Sequence, residues 1–181
     1  MTETYQSEEQ THQGRRIRVA WYRDDSMDAP WKEHDGHGIV SDWTQRDKRS
    51  GELILSEDRG SKRFYDFAAT VRKARGEGWG LAPDSLSGLA AKIGRPPTSR
   101  EVTAESVRLD FENLRSWCRD EWCFVGYVVT IEGTSYEESL WGIESTAIDE
   151  ETQELFAAAR EWIEREDREA FAAACSDIAT I

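Results

Sequence analysis

The sequence predicts an α+β fold: a mostly antiparallel sheet of about five strands with three to four helices packed mainly on one face. Three patterns lead there. Residues 123–131 form the most apolar run in the chain, rich in the β-branched and aromatic side chains that suit a pleated surface. Gly133, Thr134 and Ser135 break that run, and residues 136–144 return with Leu140, Trp141 and Ile143, which reads as strand, turn and strand. Helical stripes flank this hairpin on both sides in the sequence. The first arm, apolar almost throughout, belongs inside the sheet, and the second nearer an edge.

Taken in order, residues 1–14 are polar and without periodicity, which predicts a mobile N-terminal tail ahead of a single domain spanning 15–181. Residues 15–22 alternate, with Ile17, Val19 and Trp21 on one side, as a half-buried strand does. Residues 24–38 form an acidic loop containing Pro30. A second hairpin is expected from residues 39–43 and 52–56, joined across residues 48–51. Phe64, Phe67, Ala68, Val71 and Arg75 share one helical face, and Gly76 is a natural stop. Residues 76–97 mix glycine and proline with a short helical piece at 84–92, a loop-rich excursion.

Thr98 and Glu101 have the spacing of a capping box, followed by the stripe Val107, Phe111, Leu114 and Cys118. Asp149, Glu150 and Glu151 open the last helix, where the dipole favours carboxylates. Its stripe of Leu155, Phe156, Ala159, Trp162 and Ile163 is expected to continue through Phe171, Cys175 and Ile178, with a break near Glu166 as one option.

Composition narrows the function classes. Hydrophobic residues make up 38% of the 181-residue chain, below the usual level of about 45 to 50%, yet eight tryptophans supply the large buried areas a core needs. The formal charge of −13 is uneven. Residues 1–100 carry 17 Lys and Arg against 16 Asp and Glu, whereas residues 101–181 carry 6 against 20. An acidic surface repels nucleic-acid and membrane phosphates and attracts basic proteins, so the expected partner is a protein with a basic or nucleic-acid-binding surface. Neither a membrane nor direct nucleic acid is an expected partner. Cys118, Cys123 and Cys175 fit no common zinc or redox spacing and read as thiols in a reducing cytoplasm. No start resembling a leader and no membrane-length apolar segment is seen, so the protein is expected to stay in the cytosol where it is made. Oligomeric state is not legible.

Four constellations carry chemical potential. In Glu33-His34-Asp35-Gly36-His37, imidazole and carboxylate could hold a divalent metal at His34, His37 and Asp35, although the spacing matches no established metal motif and tight-turn hydrogen bonding accounts for the same residues. Apart from that alternative, no cofactor and no catalytic residue is expected. Arg59, Lys62 and Arg63 beside Phe64 and Tyr65 have the basic-aromatic interleaving of single-strand binders, against which stand Asp47, Glu57, Asp58 and Asp66. Trp21, Trp31 and Trp43 could box a small cation or a nucleotide base, with core packing the simpler account of Trp21 and Trp43 and a lid over the sheet that of Trp31. The last constellation is acidic: Glu137, Glu138, Asp149, Glu150, Glu151, Glu154, Glu161 and Glu164, set against a solvated face with Glu161–Arg165 and Glu164–Arg168 pairs.

The segments PWKEHDGHGIVSDW, RGSKRFYDFAATVRKARGEGWG, LRSWCRDEWCFVGYVVT and ESLWGIES resemble a family of small uncharacterised proteins encoded by bacteriophages, over most of the chain from Trp21 to Ser145. The resemblance implies an origin and no mechanism. By analogy, small acidic phage proteins without catalytic motifs bind and block host enzymes, including restriction and CRISPR nucleases. The expected function is therefore a phage accessory protein that inhibits a host protein with an acidic, nucleic-acid-mimicking surface. Two alternatives stand beside it, a metal-dependent or nucleotide-directed enzyme using residues 33–37 and a nucleic-acid-binding protein using residues 46–63.

Overall fold

The computed structural model describes residues 4–178 and is α+β. The chain divides into two compact units: Asp28–Glu121 is one, and the segments before and after it together form the other. This differs from the single continuous domain expected from composition. The inserted unit leaves between two neighbouring antiparallel strands and no glycine-proline linker marks either boundary, so the sequence carries no signal of the division.

The flanking segments build a four-stranded antiparallel sheet, β1 (Thr4–His12), β2 (Arg15–Arg23), β5 (Phe124–Ile131) and β6 (Glu137–Glu144), in that spatial order. As the apolar pattern implied, β5 lies inside and β6 is an edge. Helix α5 (Ile148–Ile178) packs on one face. Ile17, Val19 and Trp21 alternate on β2 and meet Val125, Tyr127, Val129 and Ile131 of β5 on that face, where Leu155, Phe156, Ala159 and Ile163 complete the core. Trp21 is fully buried with its indole N–H donating to Thr152 Oγ1 at 2.9 Å, so its one polar group is satisfied.

Two expectations change here. Residues 4–12 are a strand, not a mobile tail: Gln13 and Gly14, both at positive φ, form a two-residue turn that folds β1 onto β2. Two of the four polar inward positions of β1 meet polar groups of α5, Gln10 accepting from Arg160 at 3.0 Å and His12 lying 3.2 Å from Glu164, while Gln6 donates to Glu8 at 3.1 Å. The apolar stripe of α5 also ends early, since Phe171 is 72% exposed and Cys175 is exposed. A 31-residue helix is about 46 Å long and a nine-residue strand about 30 Å, so α5 overhangs its sheet. The helix runs through Glu166 unbroken, and the side chain of Ile178 lies outside the described residues.

The inserted unit holds α1 (Pro30–Glu33), the hairpin β3 (Glu52–Asp58) and β4 (Ser61–Asp66), α2 (Phe67–Glu77), α3 (Pro83–Ile93) and α4 (Ser99–Trp117). Leu55, Tyr65, Ala74, Val107, Phe111 and Leu114 form its core. The second hairpin is displaced from its expected place. Glu52–Asp58 pairs with Ser61–Asp66 through a two-residue turn at Arg59 and Gly60, again both at positive φ, while residues 39–44 contribute only isolated bridges from Val40 and Thr44. Phe64 therefore sits in a strand. The helix starts three residues later, capped by Asp66 accepting from the Ala69 N–H at 2.8 Å, and closes at Gly78 instead of Gly76. The stretch 76–97 carries α3, closed by Gly94 in the left-handed conformation. The capping box at Thr98 and Glu101 forms in both directions.

Candidate functional site

Helix α5 turns its buried stripe to the sheet, so the opposite side faces solvent. At 3.6 residues per turn, Glu150, Glu154 and Glu161 fall within about 40° of one another, opposite Ala159. All three are exposed, as are Asp149 and the β6 residue Glu137, and among the described residues none of the five makes an ion pair. Glu151 is half-buried. Asp149, Glu150 and Glu151 occupy the first turn and favour the helix dipole, which accounts for them structurally. Glu154 and Glu161 lie beyond the dipole's reach, and the expected Glu161–Arg165 pair does not form. Among the described residues neither has an ion-pair partner.

Two carboxylates of the expected set are engaged elsewhere. Glu164 lies 3.2 Å from His12 and 3.9 Å from Arg168, so the second expected helix pair does form. Glu138 accepts from the hydroxyls of Tyr127 at 3.3 Å and Tyr136 at 2.7 Å. Burial and then Glu138 push the Tyr136 phenol up to about 12.

The histidine loop is organised by a residue that sequence reasoning missed. Asp110 of α4 accepts on Oδ2 from the Gly38 N–H at 2.8 Å and from the Tyr65 hydroxyl at 2.7 Å, and its Oδ1 lies 2.7 Å from His37 Nδ1. Burial, then Asp110, holds the Tyr65 phenol well above its ordinary value, keeping it a donor. A Cβ at Gly38 would overlap the Tyr65 ring, so glycine is required there. Lys73 adds bonds to the carbonyls of Asp35 and His37 at 2.9 and 2.8 Å. The sequence signal was present, because Asp110 lies three residues after Val107 and four before Leu114, a carboxylate on an apolar helical stripe.

This cluster staples the loop to α4. His34 and Asp35 are exposed, the His34 and His37 rings are 6.3 Å apart, and His37 already faces Asp110. Among the described residues no group of three or more His, Cys, Asp or Glu is arranged to hold a metal ion.

The basic and aromatic constellations merge into one. Arg63 sits between Trp31 and Trp43, its guanidinium carbon 4.8 Å from each ring centroid, so the cation box is filled from within the chain. Trp31 also meets Trp117 at the end of α4 edge-on at 5.4 Å. Trp43 is 44% exposed, contrary to a core role, because residues 39–44 run beside β4 without joining the hairpin. Lys62 and Arg63, adjacent on a strand, point to opposite faces, and Arg59 occupies the exposed turn. The three basic residues are not gathered on one surface.

No protein-family model, curated protein or solved structure matches the chain. Among the described residues no helix is long and apolar enough to cross a membrane.

Proposed function

We propose that this is a bacteriophage-encoded accessory protein that binds and inhibits a host protein through an acidic, nucleic-acid-mimicking surface, acting in the bacterial cytoplasm as an anti-restriction or anti-CRISPR factor. The observation that carries this reading is the exposed pair Glu154 and Glu161, with Glu150 of the first turn on the same side, directly opposite the buried stripe of α5 and without an ion pair among the described residues. Exposed charges without local partners raise association rates with oppositely charged surfaces and contribute little to folding. Along α5, Glu150 and Glu154 are separated by about 6 Å, close to two steps of the roughly 3.4 Å phosphate rise on one DNA strand. A basic groove built for phosphates is therefore a complementary target.

The test is capture from a bacterial host lysate by the wild-type protein and by a variant carrying Asp149→Asn, Glu150→Gln, Glu154→Gln and Glu161→Gln. A nucleic-acid-binding protein retained by the wild type at low salt, released at high salt and not retained by the variant is the expected result. Equal capture by both proteins would contradict it. Mass spectrometry of the same purified protein, beside a His34→Ala, His37→Ala variant, tests the metal alternative: stoichiometric metal lost in the variant would replace the binding reading with an enzymatic one.

A further inference from the structure

β6 is an uncovered sheet edge. It ends the order β1–β2–β5–β6, and Glu137, Glu138, Ser139, Leu140 and Trp141 are exposed in succession. The free stretch stops at Gly142, whose N–H donates to Asp24 Oδ2 at 3.1 Å. An edge strand has backbone donors and acceptors with no ladder partner and is a template for another strand. Leu140 is 54% exposed and Trp141 47%, an adjacent apolar pair at the centre of that edge. Trp141 is held in place because its ring covers Gly126, where a Cβ would overlap it, and lies 6.3 Å from Tyr22. The opposite edge, β1, has nothing comparable, since Tyr5 is followed on its exposed side by Ser7, Glu9 and Thr11.

Charge decides the occupant. In the two-fold antiparallel register that pairs residues 137–141 of one copy with the same residues of another, Glu137 falls opposite Trp141 and Glu138 opposite Leu140, so neither carboxylate gains a partner of opposite charge. A chain of formal charge −13 adds general repulsion to self-association. We propose that β6 accepts one strand from a partner protein, an extended segment with two basic residues opposite Glu137 and Glu138 and two apolar residues opposite Leu140 and Trp141. Backbone hydrogen bonds supply the affinity, and the charge and apolar pairs set the register. This rests on the acidic-binder reading and specifies the part of the partner that is gripped.

The experiment uses a short synthetic peptide in which a Val-Leu pair is separated by one threonine from a Lys-Lys pair. Three comparison peptides accompany it: one in the reverse order, one with glutamate in place of lysine, and one N-methylated at alternate backbone nitrogens. Binding is followed by amide hydrogen exchange on the full-length protein. Protection of residues 137–141, binding at least tenfold weaker for the N-methylated and glutamate peptides, and a similar loss in Leu140→Lys are the expected results. Leu140 is exposed, so that variant folds, and Glu137→Lys should restore binding of the glutamate peptide as a second check.

Peptide protection appearing on α5 instead, indifferent to N-methylation, would overturn strand addition and leave the acidic-binder reading standing. No binding of any lysine peptide at low salt would overturn both. A dimer that forms without peptide and dissociates in Leu140→Lys would assign the edge to a second copy and overturn the proposal.

Discussion

The two units share a net negative sign and little else in how they use charge. Asp28–Glu121 carries 16 basic and 17 acidic residues, and its charges face one another. Arg46 grips the buried Glu52 at 2.6 Å, Arg95 meets Glu101 at 2.7 Å, Arg108 lies between Glu105 and Glu112, and Asp110 is enclosed by His37, Gly38 and Tyr65. The flanking unit has 7 basic against 19 acidic residues, too few cations to pair its carboxylates. Charge in the inserted unit is a structural material, whereas in the flanking unit most of it is left on the surface. A surplus of exposed charge that too few cations can balance is what a binding face is expected to carry.

The comparison can be broken at several points. The largest effect belongs to the cores, where the units should behave alike: Phe156→Ala in the flanking unit is expected to cost about 3–5 kcal/mol and Leu114→Ala in the inserted unit about 2–5 kcal/mol, measured by chemical denaturation. Charge removal should then separate them. Asp110→Ala leaves the Gly38 N–H without its acceptor and the Tyr65 hydroxyl with only the longer bond to the Val107 carbonyl at 3.3 Å, and is expected to cost about 2 kcal/mol. Glu154→Gln combined with Glu161→Gln removes as much or more charge from α5, yet should change stability by no more than about 0.5 kcal/mol per site. A large destabilisation there would mean that the acidic face is structural.

The smallest effect is a pH window. Arg95 first, then the Thr98 N–H and hydroxyl, lower the Glu101 carboxyl from 4.5 to about 2. Its folded-state value lies below the unfolded one, so its contribution is fully present above pH 4.5 and is lost as pH falls toward about 2. The stability difference between wild type and Glu101→Gln should shrink across that interval, and a difference constant with pH would mean the capping box is not formed in solution.

What could be read from the chain depended on whether the signal was local. The central hairpin, the capping box at Thr98 and the buried stripe of α5 up to Ile163 are written in neighbouring residues, and each is where pattern placed it. β1 was missed because its inward residues, Gln6, Glu8, Gln10 and His12, are polar, so a pattern that looks for apolar alternation is blind to it; the Gln13-Gly14 turn was the available clue. The misplaced hairpin had the same cause, with Arg59-Gly60 overlooked in favour of Gly51. The Arg63 box depends on contacts between residues far apart in sequence, which no spacing rule reaches, whereas Asp110 stands visibly on the apolar stripe of α4 and only its partners His37, Gly38 and Tyr65 are out of reach. On the acidic face, the residues were legible but their pairing was not: Glu138 and Glu164 have partners, and Glu150, Glu154 and Glu161 make no ion pair among the described residues.

The most direct test of the central claim is competition. Once a host protein is captured at low salt, duplex DNA is titrated into the complex and the fraction still bound is measured. Displacement by DNA, with the host protein released as it takes up the duplex, is the predicted result, because both ligands would occupy one basic groove. A stable ternary complex of the two proteins with DNA would contradict nucleic-acid mimicry outright.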